Sequence, residues 1–256
     1  KLKIGNVQIG EASNRKFGWL TMREIIAKSS NIGAIKIAQQ VGRKPFYEYI
    51  RKFGFGEKSG LSLPGESAGQ LKDQKNWTTM SLASISFGHE IAVTPIQMVS
   101  ALAAIANGGN LMVPQITRAL IKNGQGMEQF KPEKIRRVIS ERTSRQLVEV
   151  LKSVVKTGTG KKAALEGFDV AGKTGTAQKY NMETRSYSKT EFISSFIGFA
   201  PADSPRLLIL VMIDNPQGSH WGSVVAAPVF RQIAKKTLRY LNVPSSKERV
   251  FILDRA

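Results

Sequence analysis

Three strand-like segments follow one another in the second half of the chain, and they restrict the possible folds more than any other feature of the sequence. They cover residues 168–178, 192–200 and 207–214. The last two are rich in apolar, β-branched and aromatic residues and are joined by the link Pro201-Ala202-Asp203-Ser204-Pro205, which is suited to a hairpin. The segments therefore predict neighbouring strands of one sheet, with the polar residues 180–190 forming a loop between the first two strands.

Helical patterns precede and follow these strands. A capping-box match at residues 21–24 predicts one helix start, the segment Thr94-Pro95-Ile96-Gln97 opens a second, apolar helix, and a capping-box match at residues 143–146 predicts a third. The third helix has one apolar face, formed by Leu147, Val150, Leu151, Val154 and Val155. A terminal helix is predicted to bury Val225, Val229 and Ile233, which recur at every fourth position. This order of elements predicts an α+β fold, an antiparallel sheet flanked by helices.

Composition excludes several kinds of site. The 256 residues include no cysteine and only two histidines, so disulfides, thiolate catalysis and most metal centres are excluded, and we expect no cofactor. The formal net charge of +19 favours an anionic partner. The lysines and arginines of the chain occur as scattered doublets without interleaved aromatic residues, so we do not expect a nucleic-acid partner. The longest apolar run, residues 207–213, is too short to span a membrane.

Two short motifs carry side chains suited to chemistry. Ser29-Ser30-Asn31 interrupts a helical run, which leaves a hydroxyl and an amide free of the regular helix. Lys173-Thr174-Gly175-Thr176 lies on the first strand-like segment, and a strand edge offers backbone hydrogen bonds to an extended peptide. The lysine supplies a cation, the threonines supply hydroxyls, and the glycine lets a ligand backbone approach closely. Either motif alone is a weak indication of function.

Together, the two motifs resemble two of the three signatures of penicillin-recognising serine enzymes. Longer stretches resemble, in order, the class B penicillin-binding proteins, especially the peptidoglycan D,D-transpeptidases of the cell-division type. Those stretches are LTMREIIAKSSNIGAIKIAQQVG, GLSLPGES, SFGHEIAVTPIQMVSALAAIANGG, VAGKTGTAQK and SSFIGFAPADSPRLLILVMIDNP. The resemblance extends from about residue 18 to residue 244. It implies the penicillin-binding transpeptidase fold, which serine β-lactamases share.

The resemblance also implies roles for individual residues in acyl transfer from the D-Ala-D-Ala end of a peptidoglycan stem peptide. Ser29 and Lys173 would be catalytic, with Ser29 relaying a proton to the leaving amine. Asn31 would bind the substrate's amide backbone. The triplet Thr174, Gly175 and Thr176 would bind the terminal carboxylate and supply one backbone N–H of the oxyanion hole. β-Lactam antibiotics would acylate the same site.

One signature of the family is not found where it is expected. The nucleophile of these enzymes lies in a Ser-x-x-Lys motif, farther upstream of Ser-x-Asn than this chain extends. Strings of this form at Ser13, Ser153 and Ser186 are at the wrong distance or in the wrong kind of segment. Residues 1–256 are therefore expected to be the C-terminal part of a single transpeptidase domain, inactive without the upstream nucleophile.

The wider context follows from the same resemblance. We expect the full protein to be held at the cell membrane by an N-terminal anchor, with this domain on the extracytoplasmic side and cell-division proteins as partners in septal wall synthesis. Two alternatives stay open. One is a β-lactamase or D,D-carboxypeptidase of the same superfamily, and the other is a non-catalytic penicillin-binding sensor or binding module.

Overall fold

The computed structural model of the chain describes residues 1–61, 63–121 and 127–245. The described α-helices are α1 (Met22–Lys28), α2 (Asn31–Val41), α3 (Arg43–Lys52), α4 (Ser81–Ser86), α5 (Pro95–Ala106), α6 (Glu141–Lys156), α7 (Gly222–Val225) and α8 (Ala227–Tyr240). Short strands are β1 (Leu2–Ile4), β2 (Val7–Ile9), β3 (Gln70–Leu71), β4 (Ile91–Ala92), β5 (Asn110–Met112), β6 (Ala119–Ile121), β7 (Met127–Gln129) and β8 (Lys134–Arg137). Long strands are β9 (Ala171–Asn181), β10 (Ser186–Ala200) and β11 (Leu207–Asp214).

The three long strands form one antiparallel sheet in the order β11-β10-β9. Residues 201–206, which include the predicted link 201–205, join β10 to β11, and the short strands pair two by two elsewhere. Within the described residues β9 is therefore an edge strand, with one side free of any neighbouring strand. That free side is the one that can accept an extended ligand.

Helices cover both faces of the sheet. Side chains along β10 point alternately to the two faces, so they contribute to two hydrophobic cores. Phe196 packs on one face with Phe230 and Leu238 of α8, and all three are buried. Phe199 packs on the other face with residues of α5 and α6. This arrangement confirms the predicted α+β class and the antiparallel sheet flanked by helices.

Two of the three predicted helix starts are confirmed, and the third is wrong. Both hydrogen bonds of a capping box are present at Thr21 and again at Thr94. The prediction for α6 was wrong: the helix begins at Glu141, because the Ser140 side chain caps it by accepting a hydrogen bond from the Thr143 N–H. Thr143 lies inside the first turn.

Two further predictions were wrong. Residues 180–190 are mostly not a loop, because β9 continues to Asn181 and β10 starts at Ser186, and the two strands pair as a hairpin. In α8, Val229 and Ile233 are 38% and 41% exposed, whereas Phe230 and Leu238 are buried. The small residues of α8 allow the close packing against the sheet that decides which face is buried.

Candidate active site

The site begins at a kink between two helices. Helix α1 ends at Lys28, and Ser29 adopts a left-handed backbone with φ 55° and ψ 53°. Ser30 then caps α2, its Oγ accepting a hydrogen bond of 2.9 Å from the Gly33 N–H. Because Ser29 lies between the helices rather than within one, its hydroxyl is available to a distant partner.

That partner is Lys173 on β9. The Lys173 Nζ donates to the Ser29 Oγ over 2.8 Å and to the carbonyl oxygen of Thr174 over 2.9 Å. Ser29 and Lys173 are 144 positions apart in the sequence, so the fold itself creates this contact. The two residues to which the resemblance gives catalytic roles therefore lie within hydrogen-bond reach of each other.

The ammonium group of Lys173 is held without a counter-charge. No ion pair joins it to a carboxylate of the described residues, and its partners are a hydroxyl and a carbonyl oxygen. Burial, together with the positive charge of Arg15, lowers the pKa of Lys173 to about 8. At neutral pH such a lysine can exchange its proton more readily than an ordinary lysine.

The position of β9 is fixed by close packing against β10 and α7. A Cβ atom on Gly175 would collide with the Ser195 Oγ, and one on Gly222 would collide with the carbonyl oxygens of Gly175 and Ser195. The Gly222 N–H donates to the Thr176 Oγ1 over 3.1 Å. These contacts press α7 against β9 and hold the Lys173–Thr176 segment in one position.

Thr159 is a site residue that the sequence reasoning missed. Its Oγ1 lies 2.7 Å from the Thr174 Oγ1, and its N–H donates to the Ala27 carbonyl oxygen over 3.0 Å. Gly158 approaches the same carbonyl so closely that a Cβ atom there would collide with it. The signal that could have identified Thr159 is the alternation of threonine and glycine in Thr157-Gly158-Thr159-Gly160, directly after α6.

Asn31 is the first residue of α2, and an acidic residue that the sequence reasoning also missed fixes it there. The Glu11 carboxylate accepts hydrogen bonds from the Ser30 Oγ at 2.6 Å and the Asn31 N–H at 2.8 Å. The Asn31 side chain donates to the Gly10 carbonyl oxygen at 3.3 Å. A carboxylate at a helix N-terminus satisfies free N–H groups and opposes the helix dipole.

These elements enclose a cavity of about 980 Å³. All six residues predicted for the site line it, namely Ser29, Asn31, Lys173, Thr174, Gly175 and Thr176. Phe192 and Trp221 contribute aromatic surface, with Phe192 stacked on His220 at 4.1 Å between ring centroids. His89 also lines the cavity, stacked on Tyr187 at 4.0 Å, and burial lowers its pKa.

The three Ser-x-x-Lys strings do not form a serine–lysine pair on a helix facing Lys173. Ser13 lines the cavity but lies in a short 3-10 segment with left-handed φ, not in a regular helix. Ser153 on α6 donates to the Val150 carbonyl oxygen, and Ser186 contacts Thr184 at the start of β10.

The described residues contain no group of three or more His, Cys, Asp or Glu side chains that could hold a metal ion. The same part of the chain has no helix that is both long and apolar enough to cross a membrane.

Comparison with known families gives one match over most of the chain. Residues 1–235 match the model of the penicillin binding protein transpeptidase domain. The chain belongs to this transpeptidase family. Among curated relatives, it is 39% identical to stage V sporulation protein D of Bacillus subtilis, covering 91% of this chain and 36% of that protein. It is 38% identical to penicillin-binding protein PbpB of Mycolicibacterium smegmatis, covering 96% of the chain and 40% of the relative.

Solved structures agree with the family assignment. Penicillin binding protein 3 of Mycobacterium tuberculosis, in complex with aztreonam, superposes with a TM-score of 0.89 at 34% identity, covering 96% of this transpeptidase chain and 57% of the other. The transpeptidase domain of Burkholderia pseudomallei penicillin-binding protein 3 gives 0.79 at 38% identity, over 90% and 67% of the two chains. The chain thus spans about two fifths or less of the length of those two curated relatives.

Proposed function

We propose that this chain forms the substrate groove of a peptidoglycan D,D-transpeptidase. One observation carries the proposal: the 2.8 Å hydrogen bond between Lys173 Nζ and Ser29 Oγ, which joins both motifs beside the free edge of β9. Family membership and relatives named probable peptidoglycan D,D-transpeptidase, at 33–35% identity, support the same reading.

The donor peptide lies along β9 in an extended conformation. Its backbone pairs with the free N–H and carbonyl groups of the edge strand, as in strand addition. The terminal carboxylate is attracted by Lys173 and hydrogen-bonded by the hydroxyls of Thr174 and Thr176. Asn31 binds an amide group of the peptide from the opposite wall of the cavity, and Gly175 lets Ser195 pack closely against β9, which keeps the edge strand in place for the peptide.

The chemistry is two successive acyl transfers. A serine oxygen forms a bond to the carbonyl carbon of the penultimate D-Ala, the C–N bond breaks, and D-Ala leaves with a proton added to its amine. The amine of a second stem peptide then attacks the ester, forms the new amide and returns a proton to the serine. Ser29 passes the proton to the leaving amine, and Lys173, with its lowered pKa, supplies and recovers it.

The attacking serine comes from a Ser-x-x-Lys segment that residues 1–256 do not supply, and this chain is the C-terminal part of one transpeptidase domain. The backbone N–H of Thr176 and that of the serine together form the oxyanion hole. The strings at Ser13, Ser153 and Ser186 support this view, because none of them presents a serine and a lysine on one helix face toward Lys173.

The wider role follows from the names of the relatives. We propose septal or sporulation-linked wall synthesis at the cell membrane, with the domain on the extracytoplasmic side, cell-division proteins as partners, and β-lactams as covalent inhibitors. The relatives named PbpB, the sporulation protein D and the aztreonam-bound structure support this assignment.

Intact-mass spectrometry after incubation with a penicillin tests the proposal. The protein that contains the Ser-x-x-Lys segment should gain the mass of one drug molecule, whereas residues 1–256 alone should gain none. A long-lived adduct separates the transpeptidase from a β-lactamase, which would release the drug rapidly. Labelling of the short chain would contradict the assignment of the nucleophile. A folded longer protein that never gains mass would favour the binding module.

A further inference from the structure

The kink at Ser29 joins two helices whose ends are satisfied in different ways. On the α1 side, the Ser29 N–H donates to the Ile26 carbonyl oxygen over 3.2 Å. The Ser30 N–H donates to the Ile25 carbonyl oxygen over 3.0 Å, which closes the end of α1 from within. On the α2 side, the first N–H groups have no carbonyl of their own helix to bind. The start of α2 therefore depends on acceptors from another part of the chain.

Two consecutive residues, Gly10 and Glu11, supply those acceptors. The Glu11 Oε1 accepts a hydrogen bond from the Ser30 hydroxyl, and its Oε2 accepts one from the Asn31 N–H. The Gly10 carbonyl oxygen accepts one from the Asn31 side-chain nitrogen. Asn31 is thus held at its main chain and at its side chain by one short segment, 20 and 21 positions earlier in the sequence.

The contact with Gly10 fixes which way the Asn31 carboxamide faces. A carbonyl oxygen can only accept a hydrogen bond, so the Nδ2 of Asn31, and not its Oδ1, lies against Gly10. The second proton of Nδ2 and the lone pairs of Oδ1 form no other hydrogen bond within the described residues. Because Asn31 lines the cavity, these groups are available to an amide group of a ligand.

Ser30 carries the constraint from Glu11 into the helix. Ser30 is buried, and its Oγ both donates to Glu11 and accepts from the Gly33 N–H. A Cβ atom on Gly33 would collide with the Ile25 side chain, so the first turn of α2 lies directly against α1. Without the Glu11 carboxylate, the Ser30 hydroxyl and the Asn31 N–H would lose their acceptor. The position of Asn31 would then no longer be fixed.

We propose that Glu11 is a positioning residue of the site, and that its carboxylate, together with the Gly10 carbonyl oxygen, holds the Asn31 carboxamide in place for an amide group of the ligand. Glu11 is not among the residues that line the cavity, so it acts through Asn31 and not by contact with the ligand. The effect is selective: a ligand with an amide beside its reacting carbonyl depends on Glu11, and a ligand without one does not. This inference rests on the proposed function of the groove.

A matched carboxylate occurs at the start of the neighbouring helix. Glu24 accepts hydrogen bonds from the Thr21 N–H and from the Thr21 Oγ1, both at 2.9 Å, and completes the cap of α1. Like Glu11, it satisfies polar groups at a helix N-terminus, but it lies in the first turn of α1, whereas Ser29 follows the last. Glu24 does not line the cavity either. Its replacement therefore removes a capping carboxylate without disturbing Asn31.

Acylation by two penicillins tests the proposal in the protein that also contains the Ser-x-x-Lys segment. Benzylpenicillin carries an acylamino side chain, whereas 6-aminopenicillanic acid has the same ring system with a free amine. Glu11→Gln offers one acceptor oxygen in place of two. It should slow acylation by benzylpenicillin about tenfold and acylation by 6-aminopenicillanic acid less than about twofold. Time-resolved intact-mass spectrometry measures both rates.

A double-mutant cycle shows whether Glu11 acts through Asn31. Asn31→Ala removes the carboxamide, so Glu11→Gln added to it should change the benzylpenicillin rate less than about twofold. Glu24→Gln should leave both penicillin rates unchanged. The inference is overturned if Glu11→Gln slows both penicillins equally, if its effect persists in full beside Asn31→Ala, or if Glu24→Gln causes the same loss.

Failure of the positioning role is distinguishable from failure of the proposed function. An unaltered longer protein that is never acylated refutes the proposed function, and the positioning role with it. Normal acylation that Glu11→Gln does not slow refutes the positioning role alone. If urea unfolding shows that Glu11→Gln does not fold, Glu11→Asp takes its place. That variant keeps the charge, shortens the reach of the carboxylate by one methylene group and should give the same selective loss.

Discussion

Two lysines of this chain are drawn into the protein, and their surroundings are opposite. Lys152 on α6 is 8% exposed and has three carboxylates around its Nζ, those of Glu149 at 3.0 Å, Asp169 at 2.9 Å and Asp203 at 3.1 Å. Those partners raise its pKa in spite of burial. Lys173 meets a hydroxyl and a carbonyl oxygen instead, and its pKa falls to about 8.

The difference separates a structural cation from one available to a substrate. The carboxylates around Lys152 link α6 to the segment before β9 and to the β10–β11 link, so its charge is used within the fold. Lys173 receives no such compensation from the described residues, and a ligand carboxylate can supply it.

The largest effect is expected for Lys173→Ala on acylation by a penicillin. In the protein that also carries the Ser-x-x-Lys segment, loss of the proton carrier and of the carboxylate partner should slow acylation at least about 100-fold. Time-resolved intact-mass spectrometry measures the rate. Lys179→Ala is the matched control, since Lys179 lies on the same strand and pairs with Asp214 at 3.1 Å outside the cavity. Equal slowing in both variants would contradict the special role of Lys173.

The second prediction concerns stability. Lys152→Met leaves three carboxylates without their cation and should lower the free energy of unfolding by about 2 kcal/mol, less than for a fully buried pair because the carboxylates are partly exposed. Lys173→Met removes a desolvated cation with no carboxylate partner and should leave stability unchanged or increased. Urea unfolding of the chain at pH 7 compares the two. A larger loss for Lys173→Met would reverse the comparison.

The third prediction is a pH dependence. The pKa of Lys173 is about 8 in the folded chain and 10.5 in an unperturbed lysine, so the folded state disfavours the charged form. The penalty is present in full below pH 8 and is lost as the pH rises through 8 toward 10.5. From pH 7 to pH 9.5 the unaltered chain should therefore gain about 1–2 kcal/mol of stability relative to Lys173→Met, measured by urea unfolding. A constant difference would show that the lysine titrates normally.

The fourth and smallest effect is expected for Thr159→Val. It removes the hydroxyl 2.7 Å from the Thr174 Oγ1 but keeps the shape of the side chain and its backbone hydrogen bond to Ala27. Penicillin acylation of the longer protein should slow about threefold to tenfold, the cost of one hydrogen bond. Thr143→Val is the control, because it removes a comparable hydroxyl pair, with Ser140 at 2.9 Å, at the start of α6 and outside the cavity. No change in Thr159→Val would place the Thr159 hydroxyl outside the working site.

Local sequence predicted the parts of the molecule that depend on local chemistry. The helix starts at Thr21 and Thr94, the kink at Ser29 and the link between β10 and β11 all follow from residues a few positions apart. The two motifs were found for the same reason, and the resemblance to a family brought them together. Their side chains all line one cavity.

Contacts that depend on the whole fold were missed. Glu11 caps a helix that begins 20 positions later, and Thr159 meets β9 only because α6 ends beside it. The buried face of α8 was predicted wrongly because periodicity shows where apolar residues recur, not which of them pack against the sheet. Ile233 is larger than Ala234, yet Ala234 is buried and Ile233 is exposed. The sequence predicted a loop at the long hairpin because its residues are polar and aromatic and do not alternate strictly between polar and apolar. The strands pair nevertheless, with Tyr187 opposite Tyr180.

At Ser29, whose backbone is left-handed, selection for stability and selection for function favour different residues. Glycine or asparagine would occupy that conformation at a lower cost than serine. A population selected only for thermal stability would therefore tend to lose the serine, whereas one selected for wall growth would retain it. The position thus offers a way to distinguish, in a directed-evolution experiment, which of the two demands a given environment imposes.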